Sequence, residues 1–553
     1  MNDVLSSRRE AVPADADLAL LVVRLLAEVD QLRAEVAGLR RENLELRQQA
    51  GYWQSRHADA VRRIAALEQE NEQLRGENRK LQAEQFGRRS EKQSGNDRSN
   101  RLEDPADAKS KRPRGRQPGQ PAPERRDYSH LPTREQFLDL PEAEQTCPHC
   151  GQSLNACGSE DSEQLEIEIT VYRRVIHRRR GQRTCGCPGP RTVTAPPAPK
   201  LIPKSLLGTS VWVEILLDKF ASHRPTQRLL EQWRLLGMDL AAGTITDGLH
   251  RLEPLFQPIM EALVKRNRQS DTKQADETRW RVFVEQQGKV GFGWWLWNFN
   301  SDDTVVYILD PSRSHQVPED HYPPEASGVL MVDRYSAYKA MQQVKNGTLI
   351  LAFCWAHVRR DFVRVGKGWP ELKTWALEWL RRIQDLYRWN RLRRTNPKDP
   401  VSQEGLRKAV AAMRQHLDAE LADPALRLPV RKTLNSLLEH WSGLTLLVAD
   451  PRIPMDNNLS ERRLRGPALG RKNYYGSGSL WSGRLTAALF SIAATLHLWE
   501  INPRLWLLWY LQSCAEAGSQ APTDIEPFLP WNLSQDLRAK LRIGMPTPKP
   551  NSS

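Results

Sequence analysis

From residue 18 the apolar positions fall on a seven-residue repeat. Val22, Val29, Val36 and Asn43 occupy its first position, and Leu25, Leu32, Leu39 and Leu46 its fourth. The register resumes with Ile64, Leu67, Asn71, Leu74, Asn78 and Leu81, which predicts a coiled coil over 18–84. Val and Leu in these two positions favour a pair of parallel helices, and a buried Asn fixes register. Ala50, Trp53, His57 and Ala60 make a poorer seam, so a helical hairpin folding back near Gly51 is the alternative.

Pattern then gives way to composition. Residues 85–126, with FGRRSEKQSGNDRSN and KSKRPRGRQPGQPAPERR, read as a basic flexible linker. In LEIEITVY, Leu165, Ile167, Ile169 and Val171 share one face, which predicts a strand. Residues 201–268 have helical spacing, with Gly237 as a break and Thr244 as an expected N-cap; a helix-turn-helix around LGMDLAAGT is one reading and plain helical packing another. From 269 the period changes to that of strands: 276–285, 291–300 and 304–310 in succession, then GVLMVDRYSAY and TLILAF (348–353). A polar helical stretch, 365–450, follows, with LKTWALEWLRRIQDLY its most amphipathic part. Beyond it, Asp456 or Asn457 is placed to cap a helix carrying Glu461. The segment after 515 is rich in Pro and receives no role. The fold class is therefore multidomain α+β.

Length and charge narrow the partners. A chain of 553 residues is expected to divide into two to four domains. A net charge of +14 and a pI near 9.5 suit a polyanion, nucleic acid first. LALLVVRLL and LWLLWYL are too short to span a bilayer, and the opening residues do not read as a secretory signal. Four of the seven cysteines form two close pairs, Cys147/Cys150 and Cys185/Cys187, as metal ligands do. A cytoplasmic protein is expected. Strand-linked thiolate pairs close a four-cysteine structural Zn2+ site, a zinc ribbon over 127–200, with His149 and Cys157 spare.

The chemistry rests on three carboxylates. Asp276 shares strand parity with Thr278 and Trp280, while Glu277 points to the other face. Asp333 follows the strand containing Val329 and Met331, and Glu461 lies on a later helix. Carboxylates so distributed converge on one edge of a mixed sheet. Two Mg2+ ions held there suit phosphodiester chemistry, because Mg2+ prefers oxygen ligands and keeps several waters. Arg462, Arg465, Arg471 and Lys472 surround Glu461 in sequence, as phosphate contacts would; a solubilising surface is the plainer reading. Arg359 and Arg360 are further DNA-contact candidates. Cys354 and His357 read as packing or positioning residues.

ADETRW, VDRYSAY, CWAHVRRDF and DNNLSERRLRGPALGRKN closely resemble the DDE-type transposases of the insertion sequence 66 family. So do FGRRSEK, the CPHCG…CGC pair and PPAPKLIPKSLLG, and the resemblance runs in order over roughly residues 20–515. It implies a ribonuclease-H-like catalytic domain in two parts, 269–364 and 451–515, interrupted by the helical insertion 365–450. It implies Asp276, Asp333 and Glu461 as the acidic triad, DNA cleavage and strand transfer as the activity, and Mg2+ as the ion. A dimer or larger synaptic assembly on element ends and target DNA is expected, and family members are often encoded with two small accessory proteins. The chain departs from the family pattern at Tyr474–Tyr475, where an aromatic–aliphatic pair is common, and at the C-x-C knuckle. An idle DNA-binding regulator and a structure-specific nuclease on the same fold are the rival readings.

Overall fold

The computed structural model describes residues 15–86, scattered stretches between 131 and 191, and 192–544 apart from 286–290. The chain divides into two compact units, one of which is built on helix α1, Asp15–Phe86. This helix of 72 residues runs unbroken past Gly51, so the hairpin alternative is not adopted. Its apolar seam is open, with Val29 40% and Leu32 54% exposed. From residue 87 on, the expected linker lies outside the described residues, as do Cys147, Cys157 and Cys187.

The strand expected at 165–172 does not form among the residues described there. Leu165 and Ile169 are each 62% exposed and Ile167 is 92% exposed. Alternation supplies an apolar face, but a strand also needs a hydrogen-bonded partner. Pairing appears only later, where β1 (Arg180–Gln182) runs antiparallel to β2 (Thr192–Thr194).

Four helices follow: α2 (Thr209–Leu216), α3 (Thr226–Leu235), α4 (Ala242–Leu252) and α5 (Gln257–Arg268). Thr244 is not the N-cap of α4; the helix begins two residues earlier, after Ala241, and no side chain caps it. Gly237 ends the α3 turn with φ +84, a conformation that favours glycine.

The sheet that organises the second unit has five strands: β3 (Thr272–Arg281), β4 (Gly293–Asn300), β5 (Val305–Asp310), β6 (Gly328–Val332) and β7 (Leu349–Phe353). Their order is β5-β4-β3-β6-β7. The first three form an antiparallel meander, and β6 and β7 add in parallel. The short helices α6 (Gln316–His321), α7 (Ser336–Ala340) and α8 (Gln342–Lys345) lie between β5 and β7 in the chain. On this side His321 stacks on Phe299 at 3.9 Å and Tyr338 meets Trp297 edge-on at 6.1 Å.

After β7 come α9 (Trp355–Gly368), α10 (Lys373–Thr395), α11 (Pro400–Leu421), α12 (Leu428–Glu439) and α13 (Trp441–Ala449). Helix α13 packs on β7, and of the next three helices α14 (Asn458–Tyr474) and α15 (Leu480–Leu498) pack on the sheet while α16 (Pro503–Glu516) packs on α2 and α15. Helix α15 closes the β5 edge: the N–H groups of Tyr307 and Val305 donate to Ser491 Oγ at 2.8 Å and Thr495 Oγ1 at 3.0 Å. Side chains thereby satisfy an edge that would otherwise offer free donors. Part of the Pro-rich tail packs as well, since Phe528 and Leu529 are buried and the Phe528 carbonyl accepts from Trp506.

Candidate active site

Asp276 sits midway along β3 opposite Asn298 of β4. Asp333 immediately follows β6, and its Oδ1 accepts the Tyr335 N–H at 2.9 Å, an Asx turn that holds the carboxylate at the strand end. Glu461 lies in the first turn of α14.

The start of α14 is pinned by contacts far apart in sequence. Asp456 Oδ1 accepts the Asn458 N–H at 3.2 Å, which satisfies one donor of the opening turn. Asn457 occupies the N-cap position, but its side chain turns inward to donate to the Ala275 carbonyl at 2.7 Å. Its N–H donates to Cys354 Sγ at 3.2 Å, and the Trp355 N–H donates to the Met455 carbonyl at 3.1 Å. Cys354 is thus a buried packing thiol, pushed up to about 11 mainly by desolvation. These bonds tie the helix to β3 beside Asp276.

Further along, Pro467 interrupts the ladder of α14 and leaves the Arg463 carbonyl without its helical donor. The Tyr307 hydroxyl takes that place at 2.9 Å, so the break in the helix becomes a joint to β5. Asn300 Nδ2 donates to Ser460 Oγ at 2.9 Å, a second joint on the same face. At the other end Tyr475 adopts φ +65 and terminates the helix. Ser477 then docks on the end of β3: its N–H donates to the Arg281 carbonyl, and its hydroxyl accepts from the Trp280 indole at 3.1 Å.

The three carboxylates share one electrostatic neighbourhood. The Asp276 carboxyl is pushed up to about 8, first by burial, then by the charge of Glu277, with Asp333 and Glu461 adding to it. The Glu277 N–H, donating at 2.9 Å, opposes the shift. These are hard oxygen donors of the kind Mg2+ takes, and their mutual repulsion is what a divalent cation would relieve. Among the described residues, however, no group of three or more His, Cys, Asp and Glu side chains is gathered to hold a metal ion. Arg360 accounts for one side chain, since it donates to Glu461 Oε1 at 2.5 Å. The donor chemistry fits the ion, and Glu461 is already partnered by Arg360.

The basic candidates separate. Arg462, Arg465 and Lys472 are exposed. Arg471 instead turns onto β3, donating to the Arg279 carbonyl and to Thr278 Oγ1. Arg359 and Arg360 lie half-buried on α9. His357 Nε2 stands 3.9 Å from Glu461 Oε1. Of the four expected zinc ligands, Cys150 and Cys185 are described, and both are exposed.

Sequence reading set Glu277 aside. Its side chain is 1% exposed, Arg313 Nη2 reaches its Oε1 at 2.6 Å, and the Tyr338 hydroxyl donates to its Oε2 at 2.7 Å. A charged residue on the inward face of a strand was the signal available.

A family model described as "Transposase IS66 family" matches residues 204–485. The chain belongs to that transposase family. It is 30% identical over 429 residues to a Sinorhizobium fredii protein described as uncharacterized protein y4jD, covering 74% of this chain and 81% of the relative. Uncharacterized protein y4hP of the same organism is 26% identical over 426 residues, covering 72% and 75%.

Proposed function

We propose that this chain is a DNA transposase that binds the ends of a mobile insertion sequence and carries out metal-dependent DNA cleavage and strand transfer. The observation that carries the reading is the family match over residues 204–485, within which Asp276 lies on β3, Asp333 directly after β6, and Glu461 at the start of a helix bonded to β3 through Asn457. A ribonuclease-H-like architecture is supported by the strand order, an antiparallel meander extended by two parallel strands.

Asp276, Asp333 and Glu461 are the residues that hold Mg2+. When bound, the cations supply activation of the attacking oxygen and stabilisation of the departing one. Hydrolysis of one phosphodiester at the element end leaves a 3′ hydroxyl on the element and a 5′ phosphate on the flanking strand; attack of that hydroxyl on a target phosphodiester joins element to target as the target's P–O3′ bond breaks and its 3′ oxygen leaves as a hydroxyl. Arg462, Arg465 and Lys472 grip the phosphates next to Glu461, and Arg360 and Arg359 extend that basic surface on α9. Such contacts give salt-dependent affinity without sequence choice. Helix α1 pairs with a second copy along its Val and Leu seam, which joins the two ends in one assembly. Four thiolates, Cys147, Cys150, Cys185 and Cys187, close a structural zinc ribbon.

The test is incubation of purified protein and Mg2+ with duplexes carrying the element's own ends or scrambled ends. End-specific 3′ hydroxyls and their joining to target establish the reading. Cleavage indifferent to terminal sequence returns the nuclease, and binding without cleavage returns the regulator.

A further inference from the structure

Glu277, buried, and Arg313, whose side chain is 38% exposed, form an ion pair beside Asp276 that the reaction described above does not use. Both Nε and Nη2 of Arg313 donate to Glu277 Oε1, at 2.9 and 2.6 Å, and Tyr338 occupies the other oxygen. Burial pushes the Glu277 carboxyl up, and the hydrogen bonds from Tyr338 and Arg313 oppose that shift. The guanidinium lies over the Tyr335 ring at 3.9 Å and the Trp295 ring at 4.6 Å. The Tyr335 hydroxyl donates to the Arg313 carbonyl at 3.0 Å, while its N–H donates to Asp333. Trp297, opposite Glu277 in the sheet, donates through its indole to the Ser312 carbonyl at 3.2 Å.

Burying the Glu277 carboxylate is costly to desolvate, and Arg313, still partly in solvent, offsets that cost with its charge. Geometry is what this pair adds. A planar guanidinium bound twice to one carboxylate and stacked on aromatic rings has little freedom. The links run without a gap from Asp276 to its neighbour Glu277, through Arg313 and Tyr335, to Asp333.

We propose that Glu277 and Arg313 are positioning residues: their pair fixes the loop after β5 against β3 and, through Tyr335, sets the Asp333 carboxylate facing Asp276. The inference rests on reading Asp276 and Asp333 as the cation-holding carboxylates.

Full-length wild type, Arg313→Lys, Tyr335→Phe and Asp276→Asn are compared by Mn2+ titration followed by electron paramagnetic resonance, with duplex affinity and thermal midpoint measured alongside. Arg313→Lys keeps the charge but loses the fork and the stack. Its Mn2+ affinity is expected to fall about 10-fold or more, as removal of groups that orient metal ligands does, with duplex affinity unchanged. Tyr335→Phe keeps the ring and drops only the bond to Arg313, so it decides the matter if Arg313→Lys fails to fold; a several-fold loss of Mn2+ affinity at an unchanged midpoint is expected. A folded Arg313→Lys, or Tyr335→Phe where Arg313→Lys does not fold, that binds Mn2+ like wild type overturns the inference alone. So does a loss of Mn2+ binding that only tracks a lowered midpoint. Wild type whose Mn2+ binding is absent, or unaltered by Asp276→Asn, overturns the cation-site reading and this inference with it.

Discussion

Arg360 donates to Glu461 Oε1 at 2.5 Å, across 101 residues of sequence. With the Arg360 side chain 26% exposed and that of Glu461 31% exposed, the pair is only partly screened by solvent. A cation seeking Glu461 therefore competes with a guanidinium already in place.

Arg360→Gln removes that competitor. A hydrogen bond to a charged group contributes about 1.5–3 kcal/mol, so Mn2+ affinity is expected to rise on the order of 10-fold. Duplex affinity falls, with the salt slope reduced by about 1 if Arg360 also meets a phosphate. Unchanged Mn2+ affinity in a paramagnetic titration would show that the pair does not restrain Glu461.

The raised Asp276 carboxyl gives the cation-free protein a pH signature. Its folded value, about 8, exceeds its ordinary 3.8, so the group favours folding at low pH and that contribution is lost as pH rises between the two values. Thermal midpoints of cation-free wild type are expected to fall across that window, and Asp276→Asn to flatten the fall. Added Mg2+ reverses the trend, because it binds the ionised carboxylate. A wild-type slope equal to that of Asp276→Asn would remove Asp276 as its origin.

Two arginines six residues apart on α14 are expected to behave differently. Arg465→Ala, at an exposed position, lowers duplex affinity and its salt slope and leaves the thermal midpoint unchanged. Arg471→Ala takes a donor from the Arg279 carbonyl and lowers the midpoint instead. Equal effects on both readouts would erase the distinction.

Zinc is checked by metal analysis of protein purified without chelator. About one zinc per chain is expected for a closed four-thiolate site, and Cys150→Ser or Cys185→Ser should abolish it. Zinc retained in both variants would exclude these thiols as ligands.

Local pattern carried the sequence reading a long way and failed where partners are distant. Strand-type patterns, including the continuous apolar runs GVLMV and LILAF, located all five strands of the sheet, and the run before Glu461 disclosed helix α14. The first strand nevertheless starts at Thr272 rather than 276 and stops at Arg281; beyond it Val282 still donates to the Phe292 carbonyl while it bridges to Ser477, and Phe283 donates to Ser477. LEIEITVY has the alternation of a strand, but among the described residues none of it is paired in a ladder. Thr244 is a good capping residue that the packing of α4 leaves inside the helix. Arg471 and Arg465 look alike in sequence; only the fold turns one onto β3. The Glu277–Arg313 pair spans 36 residues, and nothing local in DETRW or PSRSH marks either residue as the other's partner.

The most direct measurement is the yield of end-specific 3′ hydroxyls from Glu461→Gln and wild type at equal duplex occupancy in Mg2+. The account predicts that wild type cuts at the element ends and that Glu461→Gln binds them as tightly but leaves them intact. Cleavage by Glu461→Gln at the wild-type rate would contradict it.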